Sequence, residues 1–516
     1  MAACPSVITA DNIDGLDAHQ LRELVARLRA DALHKQTLID KLTHENAVLK
    51  RLKFAAQSER FNAEQRSLLD ETLDADLQAV SEEIGQLAPQ DKPASEANKP
   101  KRQPLPAQFP RREIRHEPES TICSCGCQMK RIGEDVAEKL DYQPGVFTVE
   151  RHVRGKWACA KCEKLVQTPV APHVIDKGVP TSGLLAQVLV AKFADHLPLY
   201  RQEAIFGRAG LPIARSTLAQ WVGSCGVQLQ PLVDAMRAEL LQQPILHADE
   251  TPVAMLDPGA GKTHRAYLWT YCRTALQGTR LVVFDFAESR ASRHPADFLR
   301  HPGEGAWRGT LVCDDYSGYK ALFANGVTEA GCLAHARRKF HELYANHQST
   351  VGEQALALFG RLYEVEREAA DLNCDGRQRM RQEKAKPVAD ALHAWLTAQR
   401  QKVPPGSATA KAIDYSLGRW RALTRYIDAG DLPADNNWVE NQIRPIAIGC
   451  SNWLFAGSLR AGKRAAAVMS LIHSARVNGH DPYAYLRDVL ERLPTQPASR
   501  IGELLPHRWQ VGDIKN

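Results

Sequence analysis

Three carboxylates stand in positions where acids do chemistry. Asp249 closes an apolar run in Pro244-Ile245-Leu246-His247-Ala248-Asp249-Glu250-Thr251, and Asp314 closes another in Thr310-Leu311-Val312-Cys313-Asp314-Asp315-Tyr316. Glu440 lies in a polar helical start, Asn436-Asn437-Trp438-Val439-Glu440-Asn441-Gln442. Two acids at strand ends and a third on a later helix can converge on divalent metals. Hard oxygen ligands suit Mg²⁺ or Mn²⁺, and two such ions clamp the attacking and leaving oxygens of a phosphoryl transfer. The pattern points to a nucleic-acid strand-transfer enzyme. Spacing leaves two ties open, Asp249 against Glu250 and Asp314 against Asp315, because both strands read as buried on both faces.

The surrounding pattern predicts the elements that must hold these acids. Strands are expected over Ile245–Asp249, His264–Cys272 and Arg280–Phe286, a helix near Pro295–Leu299, then strands over Thr310–Asp314 and Glu329–Leu333 and a helix over Ala334–Leu343. Three meandering strands followed by a helix and further strands is the order of an RNase H-like fold. In that fold the first and fourth strands are neighbours. The core is expected over 244–475, with a helical insertion at about 345–430 before a last core helix at 436–447. The fold class is thus α+β and multidomain, its catalytic core a mixed sheet flanked by helices. Gly259-Ala260-Gly261-Lys262-Thr263 resembles part of a P-loop, but the required earlier glycine is Leu256 and a strand follows, so a hairpin loop is expected.

Ahead of the core, residues 16–54 carry a heptad seam. Leu21, Leu28, Lys35, Leu42 and Leu49 fall at d, and Val25, Ala32, Ile39 and Asn46 at a. That composition favours a parallel two-stranded coiled coil and a homo-oligomer, against an amphipathic helix packed on its own domain. Residues 86–116 are rich in Pro, Lys and Arg, including Lys99, Lys101, Arg102, Arg111, Arg112 and Arg115, and read as a flexible basic linker. Residues 117–170 hold Cys123, Cys125 and Cys127, then Cys159 and Cys162, which read as a small Zn²⁺ ribbon. Cys159 and Cys162 have knuckle spacing; which two of the first three bind is left open. Residues 180–242 read as helical and DNA-binding-like, with a helix-turn-helix over 199–209 and 215–227 around Gly210-Leu211-Pro212-Ile213. Plain helical packing is the alternative. A helical tail is expected over 476–516.

At 516 residues the chain must divide into several domains. Its formal net charge of +6 is a mild lean toward polyanions and says nothing of fold. Arg337, Arg338 and Lys339 concentrate that charge on one expected helix. No run approaches the ~20 apolar residues that cross a bilayer, so no membrane partner is expected. Five of twelve cysteines crowd into residues 123–162, which favours a metal over disulfides and a cytoplasmic protein.

Taken together, these motifs resemble the insertion-sequence-66 family of bacterial transposases, of the DDE type, over nearly the whole length. The resemblance is carried by Ala248-Asp249-Glu250-Thr251, Asp314-Asp315-Tyr316-Ser317-Gly318-Tyr319 and Asn436-Asn437-Trp438-Val439-Glu440. It extends to Ser451-Asn452-Trp453-Leu454-Phe455-Ala456-Gly457-Ser458 and to Asn478-Gly479-His480-Asp481-Pro482-Tyr483. It implies Asp249, Asp314 and Glu440 as the three metal-binding acids, holding two Mg²⁺ or Mn²⁺ ions. It implies DNA as partner, both the terminal inverted repeats and the target, accessory proteins of the same element, and action at the bacterial nucleoid. Cys332-Leu333-Ala334-His335 resembles a Cys-two-His signature of many such transposases, against a structural role for His335 as a helix cap. Arg444 is expected on a phosphate or paired with Glu440. Trp438, Trp453 and Phe455 are expected on an unpaired base or in the core. One departure stands out: the family's zinc segment usually opens with two residues between its cysteines, and here one separates Cys123 from Cys125. The competing functions are a nuclease that cuts without joining and a catalytically inactive DNA-binding repressor.

Overall fold

The computed structural model describes residues 17–55, 63–87, 105–143, 145–175, 178–257, 262–276, 278–301 and 305–510. Helix α1 (Ala18–Ala55) is followed by α2 (Ala63–Leu87). The heptad seam divides along its length. Leu42 and Leu49 bury against Leu69, Leu73 and Val80 of α2, whereas Val25 and Leu28 are 46% and 56% exposed.

Helix α2, absent from the sequence reading, docks on the rest of the chain by ion pairs from its buried face. Glu71 binds Lys192 and accepts the Leu199 N–H at 3.0 Å. Asp76, fully buried, pairs with Arg464 at 3.0 Å and accepts the Ser458 hydroxyl. Burial raises the Asp76 carboxyl, and the arginine opposes that rise.

The basic linker expected over 86–116 is overturned at both ends, where α2 reaches Leu87 and a strand covers the last residues. Residues 88–104 lie outside the described residues, but β1 (Arg111–His116) is a strand, parallel to β3, and not coil. Its charges are spent locally, Arg111 on Glu138 at 2.9 Å and Arg115 on Glu113 at 2.6 Å. A long antiparallel hairpin of β2 (Lys130–Gln143) and β3 (Val146–Ala158) carries the cysteine turns at its open end, with the short β4 (Leu165–Val166) added to β3.

Helices α3 (Ser182–Phe193), α4 (Leu199–Arg208) and α5 (Arg215–Leu241) follow. The α4–α5 pair turns at Gly210, whose φ of +93° suits glycine. The second helix does not stop at 227. It runs on to Leu241, and Trp221 to Gly226 are buried. Gly223 lets α2 approach: a Cβ there would sit 2.4 Å from the Ala75 carbonyl oxygen.

The core sheet contains β5 (Ile245–Asp257), β6 (Lys262–Arg273) and β7 (Val282–Ala287) as an antiparallel meander. Next come α6 (Arg293–Phe298), a ribbon of β8 (Arg300–His301) and β9 (Gly305–Ala306), β10 (Thr310–Cys313), α7 (Lys320–Ala324) and β11 (Thr328–Gly331). The spatial order is β11-β10-β5-β6-β7, with β10 parallel to both β5 and β11. Pairing of Asp257 with Lys262 and of Leu256 with Thr263 puts the end of the P-loop-like stretch in the β5–β6 hairpin, while its residues 259–261 lie outside the described residues.

Helix α8 (Leu333–His347) then opens a helical subdomain of α9 (Thr350–Glu368), α10 (Cys374–Met380), α11 (Lys386–Arg400), α12 (Ala408–Gly418) and α13 (Trp420–Thr424). These helices close a second apolar core over β10 and β11, around Phe340, Phe359 and Leu392. The chain returns through α14 (Asn437–Trp453), α15 (Leu459–Val477) and α16 (Pro482–Arg492). The expected boundary at 475/476 falls inside α15; the break is at Asn478-Gly479, where Gly479 has φ +82°. Helix α15 seals edge strand β7: Ser470 and Ser474 accept the Phe284 and Val282 N–H groups at 2.8 and 3.0 Å. Those N–H groups would otherwise be an open edge. No helix among the described residues is long and apolar enough to cross a membrane.

Candidate active site

Strands β5 and β10 set two of the acids side by side. Their parallel register pairs Leu311 with Leu246 and Val312 with His247. Continued two residues, it brings Asp314 level with Asp249. Burial is the main cause that pushes the Asp249 carboxyl up, to about 8, followed by the charges of Glu250, Asp314 and Glu440. The three expected acids therefore share one electrostatic neighbourhood, together with Glu250.

The alternative acids are engaged elsewhere. The Glu250 side chain is 1% exposed and accepts from Arg290 Nε at 2.7 Å and from the Tyr319 hydroxyl at 2.8 Å. Asp315 faces Arg419 at 3.6 Å. Asp314 keeps one oxygen on the Tyr316 N–H at 2.9 Å. Arg290 also lies over the Tyr316 ring, 3.8 Å from its centroid. Neither Arg290 nor Tyr319 was singled out from sequence, since they act on an acid 40 and 69 residues away.

Asn436, wholly buried, ties the third acid to the first strand. Its Nδ2 donates to the Ala248 carbonyl at 2.9 Å, and its Oδ1 lies 2.8 Å from His247 Nδ1. The amide orientation makes His247 Nδ1 the donor. Burial lowers the His247 pKa to about 4, so the ring is neutral. The Asn436 backbone N–H donates to Cys332 Sγ at 3.2 Å, and its carbonyl accepts the Glu440 N–H at 3.3 Å. Asn436 thus links β5 through its side chain, and the start of α8 and the turn that carries Glu440 through its backbone.

Glu440 lies 3.6 Å from His335 and 3.5 Å from Arg338. Its Oε1 and His335 Nδ1 are both buried and have no hydrogen-bond partner among the described residues. A carboxylate oxygen left without a partner, within electrostatic reach of Asp249, fits a divalent cation's donor set. Cys332, His335 and Glu440 also bring their ligand atoms within 4.8 Å of one another. His335 faces the acid from the first turn of α8, and burial lowers its pKa.

Arg444 is not among the partners of Glu440 in the described residues. The three aromatics pack inward. Phe455 is buried beside Leu256, Trp453 lies against the main core, and Trp438 Nε1 donates to the Arg273 carbonyl at 3.0 Å.

At the far end of the β2–β3 hairpin, Cys123, Cys125, Cys159 and Cys162 place their sulfurs within 4.8 Å of one another. The first turn closes through Gly126 N–H to the Cys123 carbonyl and Cys123 N–H to the Cys127 carbonyl, both 2.8 Å, with Gly126 at φ +81°. The second closes through Glu163 N–H to the Cys159 carbonyl at 2.9 Å. Cys127 is the spare thiol and packs with Met129, Trp157 and Val166. Backbone hydrogen bonding at the turns lowers the Cys123 and Cys159 pKa values, while the neighbouring thiols raise those of Cys125 and Cys162.

Comparison with known proteins agrees with this layout. The family model "Transposase IS66 family" matches residues 177–464, more than half the chain. The IS66 C-terminal element matches 470–507, the zinc-finger binding domain of transposase IS66 matches 120–163, and "Transposase C of IS166 homeodomain" matches 41–114. Among similar proteins of Sinorhizobium fredii (strain NBRC 101917 / NGR234), uncharacterized protein y4qI is 36% identical over 95% of this chain and 93% of its own. Uncharacterized protein y4jD is 35% identical over 80% of this chain and 82% of its own. The chain belongs to the IS66 transposase family.

Proposed function

We propose that this protein cuts DNA at the ends of its mobile element and joins the freed 3′-hydroxyls to target DNA, with Asp249, Asp314 and Glu440 as the catalytic acids. The single observation that carries the reading is the Asp249 carboxyl, raised by burial and by three neighbouring acids at a parallel-strand junction. The strand order, with three antiparallel strands and two parallel ones beyond the first, supports an RNase H-like core.

Two divalent ions, when bound, would supply activation of the attacking oxygen and stabilisation of the leaving one. The acids' task is to hold that charge in place. Asn436 keeps their elements in register, and Glu250 anchors Arg290 beside Asp314. In the first step water attacks phosphorus, the bond to the 3′ oxygen breaks, and a 3′-hydroxyl and a 5′-phosphate result. In the second, that hydroxyl attacks a target phosphate and displaces its 3′ oxygen. Each step exchanges one phosphodiester P–O bond, and positioning and charge neutralisation supply the catalysis.

Zn²⁺ is assigned to Cys123, Cys125, Cys159 and Cys162, where it would staple two turns into one knuckle. Self-association is assigned to the first heptads of α1, where Val25 and Leu28 stay uncovered while α2 occupies the later ones. Action in the cytoplasm at the nucleoid, in concert with accessory proteins of the element, belongs to the same reading.

The test is Asp249→Asn with a DNA end and a plasmid target. Retained end binding with cleavage and joining lost supports the proposal. Hydrolysis without joined products by the unaltered protein would favour a nuclease. Binding and cutting lost together would make Asp249 a structural residue.

A further inference from the structure

Helix α8 carries the Arg337-Arg338-Lys339 cluster, and the structure gives it two clefts, one on each flank. Its apolar residues Leu333, Ala336, Phe340 and Leu343 are buried, while Arg337, Arg338 and His341 are exposed. On one flank a cleft is lined by Arg290, Asp314, Tyr316, His335, Lys339 and Tyr415, and so reaches one of the three acids, Asp314. On the other, a cleft between α8 and α9 is lined by Arg337, His341, Gly360, Tyr363, Arg367 and Asn437. Arg338 lines both, and its guanidinium reaches Glu440 at 3.5 Å.

The second cleft is cationic without a structural reason to be so. Its one acid is Glu364, which faces Arg367 at 3.9 Å with both side chains mostly exposed. Arg337 and His341 make no ion pair among the described residues. A Cβ built on Gly360 would meet nothing within 4 Å, so the floor is open. Asn437 opens the helix that carries Glu440, which puts this cleft about one helical turn from Glu440. A DNA strand whose scissile phosphate lies among the acids must leave in two directions, and each departing phosphate needs a cation to offset the acids' field.

We propose that α8 divides the DNA at the cut. The strand on one side of the scissile phosphate runs past Arg290 and Lys339, and its continuation on the other side is held through its phosphates by Arg337, His341 and Arg367. This rests on the function proposed above and adds which surface holds which flank.

The test uses a DNA duplex that the unaltered protein cuts, in full length and truncated flush with the cut on either side. Affinities are measured between 50 and 200 mM KCl in the Asp249→Asn background, so that nothing is cleaved. Two lost phosphate contacts should lower the salt slope of Arg337→Ala/Arg367→Ala by about 1.8, and weaken binding roughly sixtyfold at 100 mM. The expected loss appears on the full duplex and on one truncated form and vanishes on the other. Lys339→Ala should show the reverse dependence. Equal losses on both truncated forms, or none on the full duplex, would overturn the inference and leave the proposed function standing. Both arginines are exposed, so an unchanged melting temperature serves as the folding control. If the unaltered protein cuts no DNA in any divalent metal, the proposed function itself fails and the division at α8 fails with it.

Discussion

Replacing Asp249 by Asn should make the Mg²⁺-free protein more stable while it destroys activity. In the unfolded chain this carboxyl ionises near its ordinary value of 3.8, whereas in the fold its pKa is raised to about 8. An acid with a raised folded pKa holds its proton longer than the unfolded chain does, so stability falls as pH rises from about 4 to about 8. At pH 7 the gap is a little over three pH units, which bounds the cost at roughly 4 kcal/mol. Relaxation of the neighbouring acids reduces this, and about 2–3 kcal/mol is a fair working figure. Asparagine removes the charge and keeps an oxygen for the Glu250 N–H, which Asp249 Oδ1 now accepts at 2.9 Å. The assay is thermal melting in Mg²⁺-free buffer that leaves zinc in place, at pH 7.5 and at pH 5. The Asn variant should melt roughly 5 °C higher at pH 7.5, with a smaller gap at pH 5. Added Mg²⁺ should raise the melting point of the unaltered protein more than that of the variant. A variant that melts lower at both pH values would refute the electrostatic reasoning.

Three further outcomes follow from particular contacts. Asn436→Ala strands His247 Nδ1–H and the Ala248 carbonyl; at about 1–3 kcal/mol for each buried group, the melting point should fall, and the Mg²⁺ concentration for half-maximal cleavage should rise. Unchanged stability and metal dependence would remove Asn436 from its positioning role. Arg290→Ala leaves Glu250 buried without its cation, so a loss of about 3 kcal/mol is expected in denaturant unfolding, and Glu250→Gln added to it should recover part of that loss. In zinc-content measurements Cys125→Ser should lose the ion and Cys127→Ser should keep it; the opposite result would reassign the first turn.

The core elements were legible in the sequence because their apolar periods are strong. Strands expected over 245–249, 264–272, 280–286, 310–314 and 329–333 appear as β5, β6, β7, β10 and β11, with β5 prolonged to Asp257 by pairing with β6. The helix expected over 436–447 appears as α14. Helix α2 escaped notice because its inner face carries Glu71 and Asp76, whose partners Lys192 and Arg464 lie far along the chain. Strand β1 escaped for a related reason. Arg111, Arg112, Glu113 and Arg115 read as solvated charge, yet parallel pairing with β3 and cross-strand acids make them a strand. The helix-turn-helix reading found the right two helices and the right turn, but burial of Trp221 to Gly226 makes the second a core helix through its middle. Within the candidate site the sequence pattern marked the pairs Asp249/Glu250 and Asp314/Asp315 and the helix-start Glu440; the choice within each pair came from the family resemblance, and Asp249 lies inside β5 and not at its end. His247, Asn436, Glu250 and Arg290 were not, because their roles depend on partners 40 to 189 residues away.

Manganese soaked into crystals of the protein with a DNA end, located by its anomalous scattering, tests the shared site most directly. The account predicts two peaks ligated by Asp249, Asp314 and Glu440, both lost in Asp249→Asn. Peaks that form without any of these side chains, or that survive the substitution unchanged, would contradict it.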